Sequence, residues 1–145
     1  MNAASAFFDT NLLLYLYGGA DPRKREVAKQ LFQRHARAGQ MLLSTQVVQE
    51  FYAAGSRKLK MPRRELREAV AALLELPLVV IGPPHILAAM DVEERYQISF
   101  WDALIVAAAE SGGAEVLYTE DLNDRQQYGA VTVQNPFRSA ETHPG

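Results

Sequence analysis

The chain contains no cysteine. Disulfides, zinc-thiolate sites and a thiol nucleophile are therefore excluded, which is compatible with a reducing cytosol. Histidine is scarce as well: His35, His85 and His143 share no ligand-like spacing, and no Ser-His-Asp arrangement can be argued from them. Long apolar runs are missing too. Phe7-Phe8 stops at Asp9, and no basic region leads into a hydrophobic stretch, so neither a signal peptide nor a membrane span is expected. The sequence thus points to a soluble, cytoplasmic protein with no membrane partner. Internal repeats, low-complexity tracts and an interdomain linker are equally lacking.

What is present is a chain of 145 residues, 48% hydrophobic, of a length that buries most of the surface it would expose unfolded. One domain over residues 1–137 is expected, with 138–145 as a loose C-terminal tail. Net charge is only −2, but its distribution is lopsided. Residues 1–68 hold 12 Lys or Arg against 6 acids, whereas residues 69–145 hold 3 against 11. Such asymmetry suits a surface that follows a phosphate backbone beside one that concentrates cations. The plainer explanation is that the basic residues line the solvent faces of two helices.

Apolar spacing divides the chain into alternating strands and helices. Residues 6–9 read as a buried strand, followed by Leu12, Leu13 and Leu16 at helical spacing as far as Gly18-Gly19. Asp21-Pro22 caps a helix running to about Ala38, with Val27, Ala28, Leu31 and Phe32 inward and Gly39 as its stop. Met41–Leu43 is a second strand. Ser44 or Thr45 then caps a helix carrying Val47, Val48, Phe51 and Tyr52, its end marked by Gly55-Ser56. A proline-initiated helix from Pro62 to about Leu76 precedes a third strand at Leu78–Ile81. Ile86, Leu87 and Met90 mark a fifth helix, Asp102 opens a sixth that ends at Gly112-Gly113, and strands follow at Val116–Tyr118 and Val131–Val133. Most strands are apolar throughout rather than two-faced. That pattern predicts a three-layer α/β/α sandwich with a central, mostly parallel sheet of about five strands.

In open α/β sheets ligands bind at the carboxyl edge, so acids at strand-to-helix junctions are of interest. Four occur: Asp9 after the first strand, Glu50 in the helix after the second, Asp102 at the start of the sixth helix and Asp121 after the fourth strand. Singly, three have structural explanations. Asp9 can cap a helix, Ser99 and Asp102 form an S-x-x-D capping box, and Asp121 or Asn123 can cap a turn. Glu50 lies beyond its helix's cap, flanked by Phe51 and Tyr52, and is harder to explain so. Together, parallel neighbouring strands would bring all four to one edge. Carboxylates so crowded require a compensating cation, and an oxygen-only set selects Mg²⁺ or Mn²⁺. Such an ion acidifies a bound water and neutralises charge on a phosphoryl group, which makes a phosphate ester the natural substrate.

Four blocks now stand in order: Phe8-Asp9-Thr10-Asn11, Ser44 through Phe51, Ser99 through Ala109, and Tyr118 through Asn123. The set resembles the PIN-domain nucleases, and among them the VapC-type ribonuclease toxins of bacterial and archaeal toxin-antitoxin pairs. The resemblance implies that Asp9, Glu50, Asp102 and Asp121 hold one or more metal ions. It implies that Thr10 and Thr119 support the site by their hydroxyls, with Asn11 and Asn123 as candidates for positioning phosphate or water. Asp124 follows closely enough to share in it. The implied reaction is hydrolysis of RNA by a metal-activated water, leaving a 5′-phosphate and a 3′-hydroxyl, and the implied partners are a small antitoxin and a second copy of the chain.

Weaker features remain. Arg57, Lys58, Lys60, Arg63 and Arg64 would contact RNA or a partner, or simply form a solvated face. Phe100 and Trp101 are expected to pack into the core, with base stacking as the other reading. A PIN nuclease of RNA processing, or a degenerate PIN domain that only binds protein, are the competing functions. A receiver domain would need an acceptor Asp ending the third strand, where Ile81-Gly82-Pro83 stands. A haloacid-dehalogenase-type phosphatase would need an acid at Asn11.

Overall fold

The computed structural model describes residues 5–138; the expected tail, apart from Arg138, and His143 lie outside the described residues. The described chain runs β1 (Ala6–Phe8), α1 (Thr10–Tyr15), α2 (Pro22–Arg37), β2 (Met41–Ser44), α3 (Thr45–Arg57), α4 (Arg63–Leu73), β3 (Leu78–Val79), α5 (Pro83–Tyr96), α6 (Phe100–Ser111), β4 (Val116–Tyr118), β5 (Gln127–Tyr128) and β6 (Val131–Gln134). Six strands form one sheet in the order β3-β2-β1-β4-β6-β5, in which only β5 is antiparallel to its neighbour. Helices cover both faces, giving the three-layer α/β/α architecture that the apolar strands imply.

The strand order fixes where the chemistry can sit. From β1 the chain winds outward through β2 to β3, and then returns to lay β4 on the opposite side of β1. Phe8 pairs with Tyr118 at the carboxyl ends of β1 and β4, so a switch point of the winding opens between them. The residues leaving that edge are Asp9 from β1 and Thr119, Glu120 and Asp121 from β4. The core beneath is made of Phe7, Phe8, Leu13, Leu43, Val47, Phe51, Leu117 and Val133, none more than 1% exposed.

Several boundaries differ from the sequence expectation, each for a packing reason. The sheet has six strands rather than five, because Tyr128, 1% exposed, pins a short polar segment against β6. The third strand ends at Val79: Val80 points to solvent, and the Ile81 N–H is taken by the Thr45 hydroxyl at 3.0 Å. Gly55 does not end α3, which continues to Arg57. It is a point of close approach, since a Cβ there would lie 2.8 Å from Leu66 Cδ1 of α4. Pro62 caps α4 from outside instead of occupying its first turn. On α5, the stripe Ile86, Leu87 and Met90 that marks the helix faces solvent, and Ala89 faces inward. Small side chains at Ala89, Ala103 and Ala107 let α5 and α6 pack closely, so the larger residues are left outside.

Candidate functional site

Asp9 ends β1 and caps α1. One carboxylate oxygen accepts from the Thr10 N–H at 2.7 Å, and the other accepts from the Thr119 hydroxyl, also at 2.7 Å. Capping is therefore real, but it does not account for the position. Asp9 is 8% exposed, and burial pushes its pKa up to about 6 despite those two hydrogen bonds, with the neighbouring Asp121 and Glu50 carboxylates adding to the rise. An ionised carboxyl is disfavoured here in the absence of added positive charge.

The other acids are held by the elements around it. Thr10, the first residue of α1, donates its hydroxyl to Glu50 Oε1 at 2.8 Å, tying α3 to the end of β1. Gln46, one turn earlier on α3, donates its amide to Glu50 Oε2 at 3.3 Å and to the Trp101 carbonyl at 3.2 Å. The Thr119 hydroxyl accepts from the Asp121 N–H at 3.1 Å, and Asn11 Nδ2 reaches Asp121 Oδ2 at 3.5 Å. Partial withdrawal from water, followed by the charges of Asp102, Glu120 and Glu50, raises the Asp121 pKa. Asp102 sits in the first turn of α6, where its N–H donates to Ser99 Oγ at 3.1 Å. Its side chain is thereby free for the cleft.

All four acids line one open cleft of about 280 Å³, together with Thr10, Asn11, Gln46, Arg57, Lys58 and Trp101. One face of α3 forms its length, with Gln46, Glu50, Ala53, Ala54 and Arg57 spaced at three, four or seven residues. Eleven residues separate Gln46 from Arg57, which at the helical rise is about 16 Å. The cleft thus grades from an acidic end to a basic one. The donor set is oxygen only, and its crowded carboxylates, Asp9 among them buried, suit a hard divalent cation. Among the described residues, however, no group of three or more Asp, Glu or His side chains is already arranged to hold a metal ion.

Other expected residues fall elsewhere. Thr119, 1% exposed, supports the site from behind, clamping Asp9 and Asp121 together. Asn123 is turned away and donates to Gln126 at 2.8 Å, so it does not position anything in the cleft. Asp124 accepts from the Asn135 N–H at 2.8 Å and belongs to the turn before β5. Glu120, adjacent in sequence to Asp121, is engaged by Tyr15 and by Lys24 at 2.8 Å. Lys60, Arg63 and Arg64 lie outside the cleft, leaving Arg57 and Lys58 as its basic residues. Trp101 is not core: it is 63% exposed at the cleft, because the inward face of α6 is filled from Ala103 onward. Gln46 escaped the sequence reading, although its place four residues before Glu50 on one helix was a usable signal. The described histidines are structural. His35 is buried against Phe8 and the Tyr118 hydroxyl, and His85 joins the start of α5 to Ser111 at the end of α6.

The sheet order and the winding switch define a three-layer α/β fold with a carboxylate-lined cleft at the carboxyl edge of its sheet. The chain belongs to the PIN domain family, whose model matches residues 6–128. Comparison with curated proteins gives no match. Among solved structures, the chain is similar to one in a toxin-antitoxin complex from Klebsiella pneumoniae, at 25% identity and a TM-score of 0.69, covering 91% of this chain and 98% of that one. It shares its fold with VapC20 of Mycobacterium tuberculosis, described as a sarcin-ricin loop cleaving toxin, at 23% identity and a TM-score of 0.65, covering 81% and 90%. The same fold recurs in a DNA-bound VapBC complex from Salmonella typhimurium, at 17% identity and a TM-score of 0.66, covering 91% and 98%.

Proposed function

We propose that this protein is a metal-dependent endoribonuclease acting as the toxin of a toxin-antitoxin pair. The observation that carries the reading is that Asp9, Glu50, Asp102 and Asp121, from four separate segments, line one cleft at the switch point of the sheet. These four residues would hold Mg²⁺ or Mn²⁺, directly or through water. When bound, the ion supplies an acidified water and neutralises developing charge on the phosphodiester. The chain's own residues do the rest. Thr119 and Thr10 keep the Asp9 and Glu50 carboxylates from turning away, and Asn11 reaches Asp121. Arg57 and Lys58 offer positive charge to the phosphates next along the strand.

The likeness to chains in toxin-antitoxin complexes supports a small antitoxin protein as partner. A second copy of the chain is the other partner we infer. The exposed Ile86, Leu87 and Met90 on α5, and an apolar groove between α3 and α4 lined by Val48, Tyr52, Val70 and Leu74, supply the surfaces that such partners would cover. Light scattering on the purified protein, alone and with the product of an adjacent short reading frame, tests both associations.

The deciding experiment incubates purified protein with total cellular RNA and Mg²⁺ or Mn²⁺, beside EDTA and an Asp102→Asn variant of matched folding. Discrete cleavage lost in both controls is expected. Equal background in all samples would overturn the nuclease reading. One observation favours a second reading, a PIN domain that only binds protein: no three acids are arranged to hold an ion among the described residues. Calorimetric titration with Mn²⁺ separates the two, since a stoichiometric ion without turnover, or no ion at all, belongs to the binding module.

A further inference from the structure

Trp101 is the only tryptophan of the chain and, among the described residues, the only aromatic one lining the acidic cleft. It is 63% exposed, where a residue of its size is usually well buried. Two contacts nevertheless brace it. The Phe100 ring meets the indole edge to face, with centroids 5.2 Å apart and planes at 78°. The Trp101 carbonyl accepts from Gln46 Nε2 at 3.2 Å, so the first turn of α6 is bound to the helix that carries Glu50. The backbone that carries the indole is thus anchored at the cleft, and the Phe100 contact braces the ring beside it.

A nucleotide presents a charged phosphate and a flat base. The carboxylate end of the cleft and Arg57 with Lys58 answer only the phosphates. The remaining apolar lining, such as Leu14, Ala53 and Ile105, has no flat face on which a base can lie. Indole does, and stacking on it tolerates every base. We propose that Trp101 is the platform on which one base of a single-stranded RNA stacks, setting the register of the strand along the cleft. The proposal rests on the ribonuclease reading of the same cleft, and its test reads binding separately from cleavage.

Because Trp101 is the sole tryptophan, its fluorescence reports on this one position. The full-length protein would be titrated with labelled hexauridylate and hexaadenylate, with Ca²⁺ in place of Mg²⁺. Anisotropy of the label follows binding, and indole emission follows stacking. An abasic hexamer of equal charge serves as the control for phosphate attraction. Quenching by both base-bearing hexamers and not by the abasic one is expected. Trp101→Ala should weaken hexamer binding by about 5- to 150-fold, the range for loss of one stacked base, while Trp101→Phe keeps most of it. In cleavage assays the Ala variant should raise KM by a comparable factor and leave kcat nearly unchanged.

Equal quenching by the abasic hexamer, unchanged affinity of the Ala variant, or no binding of any hexamer would each overturn the proposal. So would quenching produced by the antitoxin protein and by no oligonucleotide. Stacking without cleavage of any RNA would instead uphold the platform and remove the nuclease reading. Cleavage indifferent to Trp101→Ala would do the reverse.

Discussion

Replacing Asp9 by Asn removes a buried charge while retaining most of the local geometry, and the consequence for stability reverses with pH. In the metal-free protein the Asp9 pKa is raised from 3.8 to about 6, chiefly by burial. The folded state therefore holds its proton more tightly than the unfolded chain. Between these two values the native state binds more protons than the unfolded one, so stability falls as pH rises through that window. Above pH 6 the whole penalty is present, about 3 kcal/mol at 1.36 kcal/mol per pH unit. By about pH 3, below both values, it has vanished. Asn caps a helix about as well as Asp, so the bond from the Thr10 N–H survives. The Thr119 hydroxyl loses its acceptor unless it turns, which costs about 1 kcal/mol. In EDTA, then, Asp9→Asn should be more stable than wild type by about 2 kcal/mol at pH 7.5, and less stable by about 1 kcal/mol at pH 3. Urea denaturation at the two pH values measures both differences, and background titrations shared by the two proteins cancel. If the variant were less stable by the same amount at both pH values, Asp9 would carry no burial penalty, and the argument for a cation-seeking cleft would lose its main electrostatic support.

Adding Mn²⁺ should invert that order at pH 7.5. At a hundredfold excess over its dissociation constant a bound ion stabilises wild type by about 2.7 kcal/mol, while the Asn variant gains far less; parallel shifts of both midpoints would argue against Asp9 as a ligand. Thr119→Val deletes the hydroxyl that donates to Asp9 and accepts from the Asp121 N–H. A loss of about 1–3 kcal/mol in urea denaturation is expected, restored by Thr119→Ser. Equal stabilities of the Val variant and wild type would refute the clamp. Gly112→Ala tests the packing of α6 on the sheet, because a Cβ there would lie 2.3 Å from Leu42 Cδ2 and 2.9 Å from Val79 Cγ2. Destabilisation by about 1–3 kcal/mol follows from overpacking, and an unchanged melting curve would mean that β2 and β3 yield freely.

The sheet was legible because its strands are short, apolar on both faces and bounded by turn residues. Alternation of strand and helix then required a parallel arrangement. What escaped the sequence was decided by neighbours. Tyr128 is a strand residue only because β6 lies beside it, and Gly55 sits within a helix because Leu66 of α4 occupies the space a side chain would need. Exposure of Ile86, Leu87 and Met90 could not be read from helical spacing, which is the same whichever face is turned inward. The four acids were legible as junction residues of an α/β edge, and the cleft does gather them. Asn123 and Asp124 were indistinguishable from them by position. Only the hydrogen bonds to Gln126 and from the Asn135 N–H show them to be turn residues. Trp101 was misjudged for a reason of the same kind: aromatic residues at a helix start usually pack inward, but here small residues from Ala103 onward fill that face first.

The supporting hydrogen bonds suggest why such a cleft can persist in a folded chain. Each of three acids is braced from another element: Asp9 by Thr119 of the β4 edge, Glu50 by Thr10 of α1, and Asp121 by Asn11 of α1. Their mutual repulsion therefore cannot be relieved by one side chain swinging into solvent without breaking a bond to a neighbouring segment. Relief must come from protonation, which the raised pKa of Asp9 expresses, or from a cation. Asp102 is the exception, held only through its backbone N–H to Ser99. Its side chain has the freedom to close on an ion that the other three cannot enclose as they stand. This accounts for a cleft lined by four acids in which no three are arranged to hold a metal, and it makes Asp102 the acid whose rotamer should change most when Mn²⁺ binds. Crystals soaked in Mn²⁺ would test that directly, and an ion held by Asp9, Glu50 and Asp121 with Asp102 unmoved would refute it.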